Sequence, residues 1–111
     1  MSKEQEMVEL LSARTENGTL GWETTAQENE FVTSSSGGAS IFIKQLFSSN
    51  DPDPDFEFSV RDKDDRYVFS IFNNGNGVDY KGLSNLHELA RRSALKIDKT
   101  IDSILNDLRR T

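Results

Sequence analysis

The residues of this chain whose types and spacing could support chemistry begin with an acidic run. Asp51, Asp53, Asp55 and Glu57, followed by Ser59 and Asp62, match positions 1, 3, 5, 7, 9 and 12 of a calcium loop, and hard oxygen donors at alternate positions suit Ca²⁺. Position 6 of such a loop must turn sharply and wants Gly, whereas here it is Phe56. Pro52 and Pro54 stiffen the segment, and the later ligands fall where the pattern reads as a strand. A solvated acidic loop is expected, with weak Ca²⁺ binding through residues 51–57 as the alternative.

His87 is the only imidazole. A general base needs a substrate or nucleophile proton within hydrogen-bond reach, and the sequence places no obvious companion beside it; a surface or boundary histidine is expected. A zinc site would need three or four ligands including His or Cys, which one His without any Cys cannot supply. The Gly-rich run from Asn73 to Asp79 could form a nest of backbone N–H groups for an anion, but no Lys-Ser/Thr follows it, so it is no phosphate loop. Ser34-Ser35-Ser36-Gly37-Gly38 lacks the flanking residues of a nucleophile elbow and reads as a hairpin loop. No cofactor motif and no catalytic constellation emerges, and an enzyme is not expected. The competing reading is a small-molecule or catalytic pocket assembled from Asn73, Asn76, Asp79 and His87.

Three residues are candidates for contact with a partner: Trp22, Arg91 and Arg92. Arg holds carboxylates in bidentate fashion, and exposed aromatics carry much binding energy at interfaces. The plainer roles are a core Trp22 and arginines engaged within the chain, with Glu88 four residues before Arg92 in the favourable orientation.

The elements that must position these groups are legible from periodicity. Residues 3 to 16 read as a helix with Met7, Leu10, Leu11 and Arg14 on one face and Val8 beside it, capped by Ser2 and ended by Asn17-Gly18. Leu20, Trp22 and Thr24 alternate as a first short strand; residues 31–35, 39–47, 56–61 and 67–72 follow as further strands, separated by Gly-, Pro- and Asp-rich turns. The strand at 39–47 is apolar on both faces and belongs in the middle of the sheet, with Phe42 or Leu46 covered. Beyond it, Leu83, Leu86, Ala90, Ala94, Ile97, Ile101, Ile104 and Leu108 recur every three or four residues, a helical stripe that needs a surface to pack against. The tail begins near Leu83 or at Ser84 as N-cap. It is one long helix or, as the phase shift near residues 93–97 favours, a pair broken near Lys96 with Asp98 capping the second.

This order predicts a single α+β domain spanning residues 1–111: a two-layer fold with an antiparallel sheet of four to five strands, covered by an N-terminal helix and one or two C-terminal helices. The connections are too short for the crossovers of a parallel doubly wound sheet.

The chain carries a formal net charge of -6. Its first sixty residues hold three basic against eleven acidic side chains, and the rest hold ten against eight. An acidic front half repels phosphate, so nucleic acid is not the expected partner. No window approaches the roughly 18 apolar residues of a membrane span. The acidic start lacks a secretory pattern and cysteine is absent, so a cytoplasmic, non-membrane protein is expected.

At LLSARTENGTLGWETT and LSNLHELARRSAL the chain resembles small bacterial or phage α+β proteins with a Trp-containing N-terminal strand and an Ala-Arg-Arg C-terminal helix, the matching residues being Trp22, Leu86, Leu89, Ala90, Arg91 and Arg92. The resemblance implies an accessory role and supplies no catalytic residue. Together these readings point to a protein that works by surface contact with a protein partner, in the sharpest form as a homodimer through residues 95–108.

Overall fold

A computed structural model of the chain describes residues 2–46, 55–72 and 80–110. The element order is α1 (Lys3–Glu16), β1 (Glu23–Thr24), β2 (Glu30–Ser34), β3 (Ser40–Leu46), β4 (Asp55–Arg61), β5 (Tyr67–Phe72), α2 (Tyr80–Ala94) and α3 (Ile97–Arg110). The five strands form one antiparallel sheet in sequence order. This is the expected α+β fold, with an N-terminal helix and two C-terminal ones.

Local chemistry explains the element boundaries. The Ser2 hydroxyl accepts the Gln5 N–H at 3.1 Å and caps α1, and Asn17 with Gly18 at φ +83° ends it. Between β2 and β3, Gly38 sits at φ +90°, where a Cβ would come within 3.1 Å of the Lys63 Cβ, so the turn requires glycine. The β4–β5 turn has no glycine. Asp65 takes φ +63° instead, and the Asp62 carboxylate accepts the backbone N–H groups of Asp64 and Arg66, each at 2.9 Å. A short polar side chain that bonds its own turn does here what Asn-Gly does elsewhere.

Strand alternation sorts the sheet into two faces. Phe31, Ile41, Ile43, Phe56, Phe58, Val60 and Ile71 point to one side and are buried, in a register that sets Ile43 between Phe31 and Phe58 and Phe58 beside Ile71. α2 lies against this face through Leu83, Leu86 and Ala90, all with no exposed surface. Val8 of α1 and Trp22 complete the core. Among the described residues no helix covers the opposite face, where Phe42 is half-buried under the Arg61 guanidinium, 4.9 Å from its ring centre.

Several expectations need correction. The helix α1 is rotated about its axis relative to the apolar count. Val8, Ser12 and Thr15 are its buried residues, Met7 and Leu11 flank them, and Leu10 is 55% exposed. α1 docks along α2, and small hydroxyl side chains at 12 and 15 suit close helix contact better than the larger Leu10. The first strand is only two residues long, and Trp22 lies just ahead of it. α2 starts at Tyr80, so Ser84 is interior and caps nothing. The tail does break: Lys96 takes φ +54°, and its N–H reaches the Ser93 carbonyl at 3.2 Å, ending α2 by a left-handed residue as Gly usually does. Asp98 falls inside the first turn of α3 rather than at its cap.

Candidate functional site

The break at Lys96 divides the apolar stripe of the tail between two environments. Upstream, Leu83, Leu86 and Ala90 are sealed beneath the sheet. Downstream, α3 contains no buried residue, and among the described elements it packs on α2 alone. Ile97 is half-buried, but Ile101 is 45% exposed, Ile104 53%, Leu105 38% and Leu108 66%, with Leu95 at 48% just before them. Ile97, Ile101, Ile104, Leu105 and Leu108 follow one another at helical spacing, so one side of a helix about 21 Å long presents Ile and Leu to water. An isolated helix of this length is marginal in water. Polar residues Asp98, Lys99, Asp102 and Asp107 occupy the remaining circumference and Arg109 and Arg110 its last turn, a layout favourable to the helix dipole.

The arginines at the C-terminal end of α2 engage within the chain. Arg91 binds Glu88 in a two-point contact, Nε to Oε2 at 3.0 Å and Nη2 to Oε1 at 3.1 Å. That hydrogen-bonded guanidinium holds the Glu88 carboxyl below its ordinary range and lifts the Arg91 pKa further. Arg92, expected to pair with Glu88, instead reaches across the break to Asp98. This pair ties the start of α3 to the end of α2. Both arginine side chains keep about two-fifths of their surface, 38% for Arg91 and 41% for Arg92.

Trp22 belongs to the core, with 4% exposure. Its indole N–H donates to the Thr15 Oγ1 at 2.8 Å, the Thr15 hydroxyl in turn donates a hydrogen bond to the Leu11 carbonyl at 2.7 Å, and the Trp22 backbone N–H donates to the Ser93 hydroxyl at 3.0 Å. One residue thereby fastens α1, the strand entry and the end of α2.

His87 is not at the surface. It is 5% exposed, wedged between Phe31 and Phe56 with ring centroids 5.3 Å from each. Its Nε2 lies 3.1 Å from the Asn29 carbonyl, which requires that nitrogen to carry the proton. Burial penalises imidazolium and lowers the His87 pKa, while the hydrogen bond to Asn29 and the charge of Glu88 oppose the shift in part. The arrangement pins the Asn29 turn, itself at φ +60°, to α2. Sequence reasoning overlooked this role because the partner carbonyl is 58 residues away.

The remaining candidates are placed only in part. Asn73, Asn76 and Asp79, like Asp51 and Asp53 of the acidic run, lie outside the described residues. Asp55 and Glu57 fall within β4, Glu57 opposite Lys44 of β3. Among the described residues no group of three His, Cys, Asp or Glu converges as a metal site would require, and no helix is long and apolar enough to cross a membrane. A groove of about 500 Å³ is bordered by residues of α1, α2 and α3, with Leu20, Leu89, Arg92, Lys96, Asp98 and Lys99 in its lining. Its acidic and basic side chains are mixed.

The resemblance to proteins with a Trp-containing N-terminal strand is overturned. The N-terminal element is the helix α1, and Trp22 precedes β1 instead of lying in it. No protein-family model matches the chain, and no curated protein or solved structure does so either.

Proposed function

We propose that this chain is a small cytoplasmic accessory protein that acts by surface contact, with α3 as the contact element and a second copy of the chain as its partner. The observation that carries the reading is the unburied Ile and Leu stripe of α3, next to a core that closes without it. Large apolar side chains gathered on one side of a helix gain by leaving water, at about 25 cal/mol per Å² of apolar surface removed. Neither the sheet nor α1 is placed to cover them.

A contact made by one short helix from each copy is small, in the class below about 1,200 Å² that marks transient association. The expected behaviour is therefore a monomer at low micromolar concentration and a rising dimer fraction above it. Sedimentation velocity over a broad concentration series checks this. A mass that stays monomeric at every concentration refutes pairing between copies.

A further inference from the structure

We infer that two copies of the chain pair through antiparallel α3 helices, about a two-fold axis passing between Asp102 and Ser103, so that Asp98 of each copy faces Arg109 of the other; this rests on the reading of α3 as the contact element. The first argument is the spacing of the stripe. Ile97, Ile101, Ile104 and Leu108 are separated by four, three and four residues, an order that reads the same in both directions. A reversed copy therefore sets Ile97 against Leu108 and Ile101 against Ile104, so that each of these four meets another of them. Self-complementarity of this kind is what a two-fold interface demands, since one patch must serve both sides.

The second argument is charge. Asp98, Asp102, Leu105 and Arg109 follow one another at intervals of four, three and four residues and so share one flank of the stripe. In the antiparallel register Arg109 of the second copy lies level with Lys96, only about 3 Å along the axis from Asp98 at 1.5 Å per residue. The Asp98 side chain is 75% exposed although Arg92 binds one of its oxygens, so the carboxylate can receive a second guanidinium. Symmetry makes the contact twice. A parallel pair instead sets Arg109 and Arg110 beside their own copies, aligns the two helix dipoles, and crowds both folded bodies at the same end, because α3 follows the rest of the chain from its N-terminal end.

Because the chain has no cysteine, thiols introduced into the full-length protein report the orientation directly. Thr100 and Asp107 are exposed on the other flank of α3. In the antiparallel pair, Thr100 and the Asp107 of the second copy are about 3 Å apart along the axis, whereas the two Asp107 positions are roughly 14 Å apart, beyond the ~7 Å Cα reach of a disulfide. Oxidising a mixture of T100C and D107C proteins is expected to give the mixed disulfide, and D107C alone little or none. In addition, R109D is expected to weaken association roughly tenfold, the scale of two exposed ion pairs lost, and D98K/R109D to restore it. Efficient D107C self-crosslinking in a protein that still dimerises overturns the antiparallel arrangement and leaves the contact reading standing. A dimer that forms no disulfide in either experiment, or one indifferent to R109D, also overturns the arrangement. A monomer at all concentrations overturns both.

Discussion

The substitution Ile104→Glu separates the two halves of the helical stripe. Ile104 is 53% exposed in the single chain, and α3 holds nothing that the core needs. Burying an Ile side chain completely is worth about 1.5–3 kcal/mol, so the half still open at position 104 can contribute about 0.8–1.5 kcal/mol when a partner covers it. A two-fold pair contains the residue twice, which brings the loss to about 1.5–3 kcal/mol, or roughly ten- to hundredfold in the dissociation constant at 1.4 kcal/mol per tenfold. Burying a carboxylate adds to this. The folded monomer, by contrast, should change by no more than about 0.5 kcal/mol, as expected at an exposed site. Leu86→Ala supplies the opposite pattern: Leu86 has no exposed surface, and its truncation should cost about 2–5 kcal/mol of stability. Urea denaturation at dilute protein measures the stability of the monomer and sedimentation equilibrium the dissociation constant. If Ile104→Glu lowers the urea midpoint of the dilute protein as Leu86→Ala does, α3 is part of the core and the reasoning fails. If it leaves association unchanged, the stripe is not the contact.

Three further perturbations test the packing. Because burial lowers the His87 pKa in the fold, the unfolded chain takes up a proton near its ordinary value of about 6.5 while the folded one does not. The unfolded state then binds more protons, and stability is complete above about pH 6.5 and falls as pH drops below it. Urea midpoints at pH 7.5 and 5.5 should differ in that direction for the native chain and far less for His87→Gln, whereas a midpoint that rises on acidification contradicts the assignment. Trp22→Phe removes the donor to Thr15 and part of a core side chain, and should cost about 1–3 kcal/mol in the same measurement; a loss within error would place Trp22 outside the core. Lys96 holds a left-handed backbone at the break, so Lys96→Gly should be neutral or stabilising by up to about 1 kcal/mol and the β-branched Lys96→Val destabilising by about 1–2 kcal/mol. Equal melting temperatures for the two variants would show that the break tolerates another conformation.

Much of the fold was legible because its signals are local. Alternation over 56–61 and 67–72, turn residues between them, Ser2 before an acidic first turn and Gly18 after a helix act through neighbours within a few residues. Those features specified the helix–meander–helix order and the antiparallel sheet. The phase shift near 93–97 likewise located the break at Lys96.

Four features were decided only in three dimensions. The face that α1 buries depends on the shape of α2, so Val8, Ser12 and Thr15 face inward while Leu10 stays wet. His87 is buried because Phe31 and Phe56 close over it and Asn29 supplies a carbonyl. Arg92 turns to Asp98 because the break swings α3 within its reach, leaving Glu88 to Arg91. The stripe itself is continuous in the sequence from Leu83 to Leu108, since period alone records which residues share a face and not what lies opposite. The sheet covers that stripe as far as Ala90, and beyond Lys96 the chain has turned away from the surface that would have kept water off Ile101, Ile104 and Leu108.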